Sequence, residues 1–137
     1  MVRAMALMVT ALVLASAGRA VEPAKEPKKD KAAALEKLLH GVWQGGDCVG
    51  TLTIAADGTV KREHYTPGNN TATGTWEVRW DALPPTLVIV AKTSDDPDLA
   101  GKTWEFKLVQ LDDDALAYQH PDARPGSEPV HFNRVKK

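Results

Sequence analysis

One cysteine, Cys48, is all the chain contains, and a single thiol excludes any disulfide within the chain. Phenylalanine and tyrosine number only two each, so four tryptophans make up half of the aromatic content. After residue 20 there is no apolar run approaching the about 20 residues that a membrane-spanning helix requires. There is no surplus of positive charge either. Removing Arg3 and Arg19 with residues 1–20 takes 17 basic residues to 15, against 18 acidic ones, a net charge of −3. Nothing gathers basic residues into the stripe that nucleic acid or an anionic lipid surface would need. Gly-x-Ser-x-Gly, His-Glu-x-x-His and phosphate-loop patterns are all missing. The hydrolase, zinc-protease and nucleotide chemistries that those patterns serve therefore have no support here.

The first 20 residues show a different composition. Arg3 gives one positive charge, Ala4 to Ala17 is apolar except for Thr10 and Ser16, and small residues follow up to Ala20. That is the order of a secretory signal peptide, with cleavage expected after Ala20, or failing that after Ala17. No cysteine sits just after the cleavage point, so a soluble, secreted or periplasmic product is expected rather than a lipid-anchored one. Residues 21–31 are charged, carry proline and lack large apolar side chains, and are expected to form a solvated linker. The domain is then 32–137.

A short helix is predicted next, with Asp30 placed to cap it and Leu35, Leu38 and Leu39 forming one apolar stripe. Gly41 can end it in a left-handed conformation. From there the apolar period changes to two. Strands are predicted over 49–55, 59–65, 74–80, 86–91, 102–111, 115–120 and 130–135, with turns at Ala56-Asp57-Gly58, Pro67 to Asn70, Pro84-Pro85, Asp95 to Asp98, Asp112 to Asp114 and Pro121 to Pro129. Together with a first strand at Gly41, the count is about eight. No segment after Gly41 could serve as a crossover helix, so the sheet must be antiparallel. An up-and-down barrel also removes exposed edges. With fewer than 100 residues to build it, the interior should be filled largely by side chains.

The residues Leu39-His40-Gly41-Val42-Trp43, Asp57-Gly58-Thr59, Gly74 to Val78 and Phe132-Asn133-Arg134 occur in an order that resembles small secreted lipocalin-like proteins of the planctomycete type. The resemblance spans 38–135. It implies a lipocalin-like barrel in which Gly41 and Trp43 open the fold, Trp43 plugs the base and Arg134 lies over the indole. It implies a fold and not an activity.

His40, His64, His120 and His131 never stand at the i, i+2 or i, i+4 spacing of ready-made ligand pairs. Only His120 and His131 could meet, on a hairpin, so no metal and no cofactor is expected. The runs Asp95-Asp96-Pro97-Asp98 and Asp112-Asp113-Asp114 lack calcium-loop spacing and read as solvated turns. Glu77 and Glu105 alternate with tryptophan and should face water. Cys48 is expected to be buried as a small apolar side chain, with a disulfide-linked dimer as the alternative. Of the aromatics, Trp43, Trp76 and Trp104 read as core, although Trp76, Trp80, Trp104 and Tyr118 could instead line a shallow apolar cup.

The resulting expectation is a non-catalytic exported module that binds a small apolar ligand or a protein partner at the barrel mouth. The alternative is an exported protease inhibitor that uses its N-terminal arm, Val21 to Lys29. An enzyme or a metal-binding protein comes third.

Overall fold

The computed structural model describes residues 26–65 and 70–137. The expected export signal at 1–20 and the centre of the expected Pro67 turn lie outside them. The order is one helix, α1 (Glu26–Leu39), then β1 (Gly41–Gly45), β2 (Thr51–Ile54), β3 (Thr59–Tyr65), β4 (Asn70–Arg79), β5 (Thr86–Ser94), β6 (Thr103–Leu111), β7 (Ala115–Gln119) and β8 (Val130–Arg134). The strands form a closed antiparallel barrel in simple sequence order. Closure comes from β1 pairing with β8, Trp43 opposite Arg134 and Gly45 opposite Phe132.

Helix α1 begins earlier than the sequence suggests. Half of the segment expected to be a linker is helical, and Asp30 lies inside α1 rather than capping it. The physical reason is that Pro27 falls in the first turn, where a missing N–H costs nothing, and lysine, glutamate and alanine carry the helix onward. Lys29, Asp30 and Lys31 on this helix are exposed. Leu39 is fully buried, which by transfer energy is worth about 2 kcal/mol. The helix ends at Leu39, and β1 opens at Gly41, whose φ of +141° is costly for any residue with a Cβ.

Alternation along the strands sends one face inward. Trp43, Leu52, Ile54, Val60, Trp76, Leu87, Ile89, Phe106, Leu108, Leu116, Tyr118 and Phe132, joined by Leu39, form one continuous buried cluster. Phe106 stacks on Tyr118 with ring centroids 4.2 Å apart, and Tyr118 meets Phe132 at 5.3 Å. The barrel interior is thus occupied by large side chains. On β5, Leu87, Val88 and Ile89 are buried in succession, as a strand covered on both faces requires.

Because consecutive strands run up and down, the connections divide between two ends. The helix end carries α1 and the turns at 55–58, 80–85 and 112–114. The far end carries the connections at 46–50, 95–102 and 120–129.

Candidate functional site

At the helix end, three carbonyls at the end of α1 have donors from the barrel. Trp43 Nε1 donates to Leu39 O at 2.8 Å. Arg134 Nη1 donates to His40 O at 2.7 Å, and Arg134 Nη2 donates to Leu38 O. The guanidinium carbon lies 4.1 Å from the Trp43 ring centroid. A cation at a helix C-terminus is favoured by the helix dipole, and stacking on indole adds about 0.5–2 kcal/mol. Gly41, Trp43 and Arg134 thus act as one structural lock, with Gly41 kept bare because a Cβ there would lie 2.6 Å from Arg134 Nη1.

At the same end, α1 and the β4–β5 turn line two open grooves that share Trp80. One, of about 610 Å³, is lined by Ala32, Leu35, Trp80, Leu83 and Pro85 together with Lys31 and Asp81. The other, of about 730 Å³, runs along Lys29, Ala32, Val78 and Arg79. Trp80 is half-buried, and its Nε1 donates to Glu36 Oε2 at 3.3 Å. Leu83 is 95 % exposed at the rim. The Trp80 indole is therefore fixed by α1 while its neighbours offer apolar surface to solvent.

The far end is built differently. β3 points Val60 inward, and the same alternation turns Arg62 inward two residues later. The Arg62 guanidinium carbon lies 5.2 Å from the Trp104 centroid and 5.9 Å from that of Phe106. The His120 ring meets Phe106 edge-on at 5.1 Å and Tyr118 at 5.9 Å. Burial, and then the Arg62 charge, hold His120 below the usual imidazole value, with Asp122 opposing. Burial pushes the Tyr118 hydroxyl up, and Arg62 opposes that shift.

The four aromatics proposed as a single cup are not brought together. Trp76 is buried near the helix end, its Nε1 donating to Ala55 O at 2.8 Å. Tyr118 is buried in the stack with Phe106. Trp80 and Trp104, both half-buried, stand at opposite ends, because one follows β4 toward the helix and the other begins β6 on the far side. Trp104 reads as core in the sequence but is only partly covered, packed against Ala72 and Ala91.

Cys48 is exposed, not buried. It occupies the short β1–β2 turn, where backbone bonds from Val49 and Gly50 to Gly46 O draw the loop tight and leave its corner outside. His120 and His131 do not converge: Ala117 is the partner of His131, which faces outward, while His120 follows inward-facing Tyr118. His40 packs edge-on against Trp76 at 5.6 Å. Among the described residues, no three histidine, cysteine or acidic side chains cluster in a way that could hold a metal ion.

The acidic loops serve their own backbones. Asp112 accepts from Asp114 N at 2.9 Å and Ala115 N at 2.7 Å, and Asp95 accepts from Thr71 N at 2.7 Å. Glu105 pairs with Arg79 at 3.0 Å on the outer surface, and Glu77 is exposed.

Sequence reasoning missed Arg62 and Leu83. The signal for Arg62 was present, since it keeps step with Val60 on β3. Leu83 stands among prolines, where no period exists to mark it. No family model matches the chain, and no curated protein matches it.

Proposed function

We propose that this chain is an exported, lipocalin-like, non-catalytic binding module that takes a small apolar ligand in the groove beside Trp80. The observation carrying this reading is the groove itself: about 610 Å³ of open, largely apolar space at a tryptophan held by Glu36, with Leu83 exposed at its rim. That volume falls within the about 300–1,000 Å³ range of small-molecule sites. The filled barrel supports binding at the surface over binding in a central cavity. A protein partner would require a patch of about 800 Å² on this side, larger than the groove offers.

A neutral fluorescent apolar probe, N-phenyl-naphthylamine, tests the reading. The protein should enhance its fluorescence saturably, and Leu83→Asp should abolish the enhancement without lowering Tm, because Leu83 carries no packing. Equal enhancement by wild type and L83D would sink the groove as the site. Native mass spectrometry of gently purified protein should then show a small-molecule adduct, whereas a co-purifying polypeptide would favour a protein partner.

A second reading rests on the exposure of Cys48. A disulfide between two copies would give a dimer band on a non-reducing gel that disappears with reductant and in Cys48→Ser.

A further inference from the structure

We propose that the occupant of the Trp80 groove is a single-chain zwitterionic amphiphile, its unbranched tail lying along α1 toward Val109 and its head between Lys29 and Lys31 of the helix and Glu77 and Asp81 of the barrel. The assignment rests on the groove being a ligand site, and adds the shape and charge of what fills it.

The space around Trp80 is long rather than compact. A third groove, of about 190 Å³, is walled by Leu35, Trp80, Pro85, Leu108, Val109 and Leu111. It shares Leu35, Trp80 and Pro85 with the groove of about 610 Å³, which in turn shares Ala32, Trp80 and Asp81 with that of about 730 Å³. Common walls make the three one trough. Along α1 it passes Leu35, Ala32 and Lys29 in order, a stretch of about 9 Å of helix, and β6 prolongs it beyond Leu35. The barrel interior beneath is filled by side chains, so the trough offers length without depth. An unbranched chain fits such a space, whereas a compact ring system would leave most of the wall bare. Val109 marks the apolar end: it follows Glu105 and Lys107 on the outward face of β6, yet it is apolar and 47 % exposed.

The opposite end is charged. Lys29 and Lys31 line it from α1, and Glu77, Arg79 and Asp81 line it from the barrel. Arg79 is taken by Glu105 at 3.0 Å, and Glu36 accepts from Trp80 Nε1. Lys29, Lys31, Glu77 and Asp81 have no ion-pair partner among the described residues. Two cations on the helix wall are thus matched by two carboxylates on the barrel wall. An anionic head gains from the lysines but is repelled by the carboxylates, and a cationic head meets the reverse. A head with both charges satisfies both walls, its anion on the helix side and its cation on the strand side.

The test uses octyl-, decyl- and dodecylphosphocholine, each below its micelle concentration, to displace N-phenyl-naphthylamine from the full-length protein. Affinity should rise about two- to fourfold for each added methylene. Dodecylphosphocholine should bind more tightly than dodecanoate or dodecyltrimethylammonium. Reversing both helix charges, Lys29→Glu with Lys31→Glu, should weaken it about two- to fivefold and strengthen the trimethylammonium chain. Val109→Asp should remove the gain from the last methylenes while N-phenyl-naphthylamine binds as before; Val109→Ser gives the same comparison if the aspartate lowers Tm. Affinity that stays flat from octyl to dodecyl while the naphthylamine still binds overturns the extended tail and leaves the groove standing. No binding of the naphthylamine or of any chain overturns groove and tail together. Equal affinity for the three head types overturns the zwitterion. Sedimentation of the protein with phosphatidylcholine vesicles, without displacement by single chains, would assign this face to a membrane surface instead.

Discussion

Arg134 stacks 4.1 Å above the Trp43 ring and at the same time donates to the carbonyls of Leu38 and His40. Arg134 and Trp43 are also direct partners across the β1–β8 seam. One side chain thus ties together the helix end, the barrel base and the closing strand pair. Arg134→Lys keeps a cation near the helix C-terminus but cannot reach two carbonyls and an indole face together. It should cost about 1–2 kcal/mol, and Arg134→Ala about 2–3 kcal/mol, because carbonyls that need donors lose them. Urea unfolding of the three proteins gives the comparison. A loss in Arg134→Ala no greater than that of an exposed lysine would show the lock to be idle.

Gly41→Ala should be costly for two separable reasons. Its φ is +141°, and the new methyl would lie 2.6 Å from Arg134 Nη1. Gly58, also at positive φ but with nothing within 4 Å of a Cβ, isolates the backbone part. Gly58→Ala should lose about 1 kcal/mol, and Gly41→Ala clearly more, with the excess disappearing when Arg134 is already alanine. A thermal-denaturation double-mutant cycle measures that excess.

Phe106 is fully buried between Tyr118 and the far-end groups. Truncating it to alanine should cost about 3–5 kcal/mol, a large part of the about 5–15 kcal/mol a domain possesses. Phe106→Leu should cost much less. If both substitutions prove equally mild in urea titration, the barrel interior is looser than the stacking describes.

Acidification should destabilise the fold in two stages. His120 is held below its ordinary value of 6.5, by burial first and by Arg62 second. The unfolded chain takes that proton more readily, so this contribution is complete above 6.5 and is lost as pH falls through the folded value. Asp57 and Asp112 are lowered from 3.8, chiefly by the Thr59 hydroxyl and by the Gln110 amide respectively. Their contribution is present above 3.8 and is lost as pH falls through their folded values, and it is small because both are open to solvent. In a series of melts, His120→Gln should flatten the upper stage and leave the lower one. A wild-type Tm constant between pH 7 and 5 would contradict the placement of His120.

The strands were readable where one face is apolar. Trp76, Val78 and Trp80 against Thr75, Glu77 and Arg79 mark β4 plainly, but its first residues, Asn70 to Thr73, carry no such alternation. They are strand because Thr73 and Ala72 find Thr93 and Ser94 across a bulge, a tertiary cause that local pattern does not contain. The start of α1 was hidden for the opposite reason: its first turns face water, and a solvated helix and a solvated linker share a composition. Cys48 shows the same limit, since loop geometry set by Gly46 and Gly50 decides its exposure. The candidate sites were half legible. Trp80 and Trp104 could be named, but their placement at opposite ends follows from strand direction.

The seam between β1 and β8 also governs when the fold can form. Arg134 reaches a carbonyl 96 positions earlier, so the lock at the helix end waits for almost the last residues to become available. Until then β1 lacks one neighbour and α1 lacks its cap, however complete the hairpins between them. Contacts this distant in sequence slow folding, and here they make closure the final event. A chain still emerging from a ribosome stays an open sheet and becomes a barrel only when its end is free.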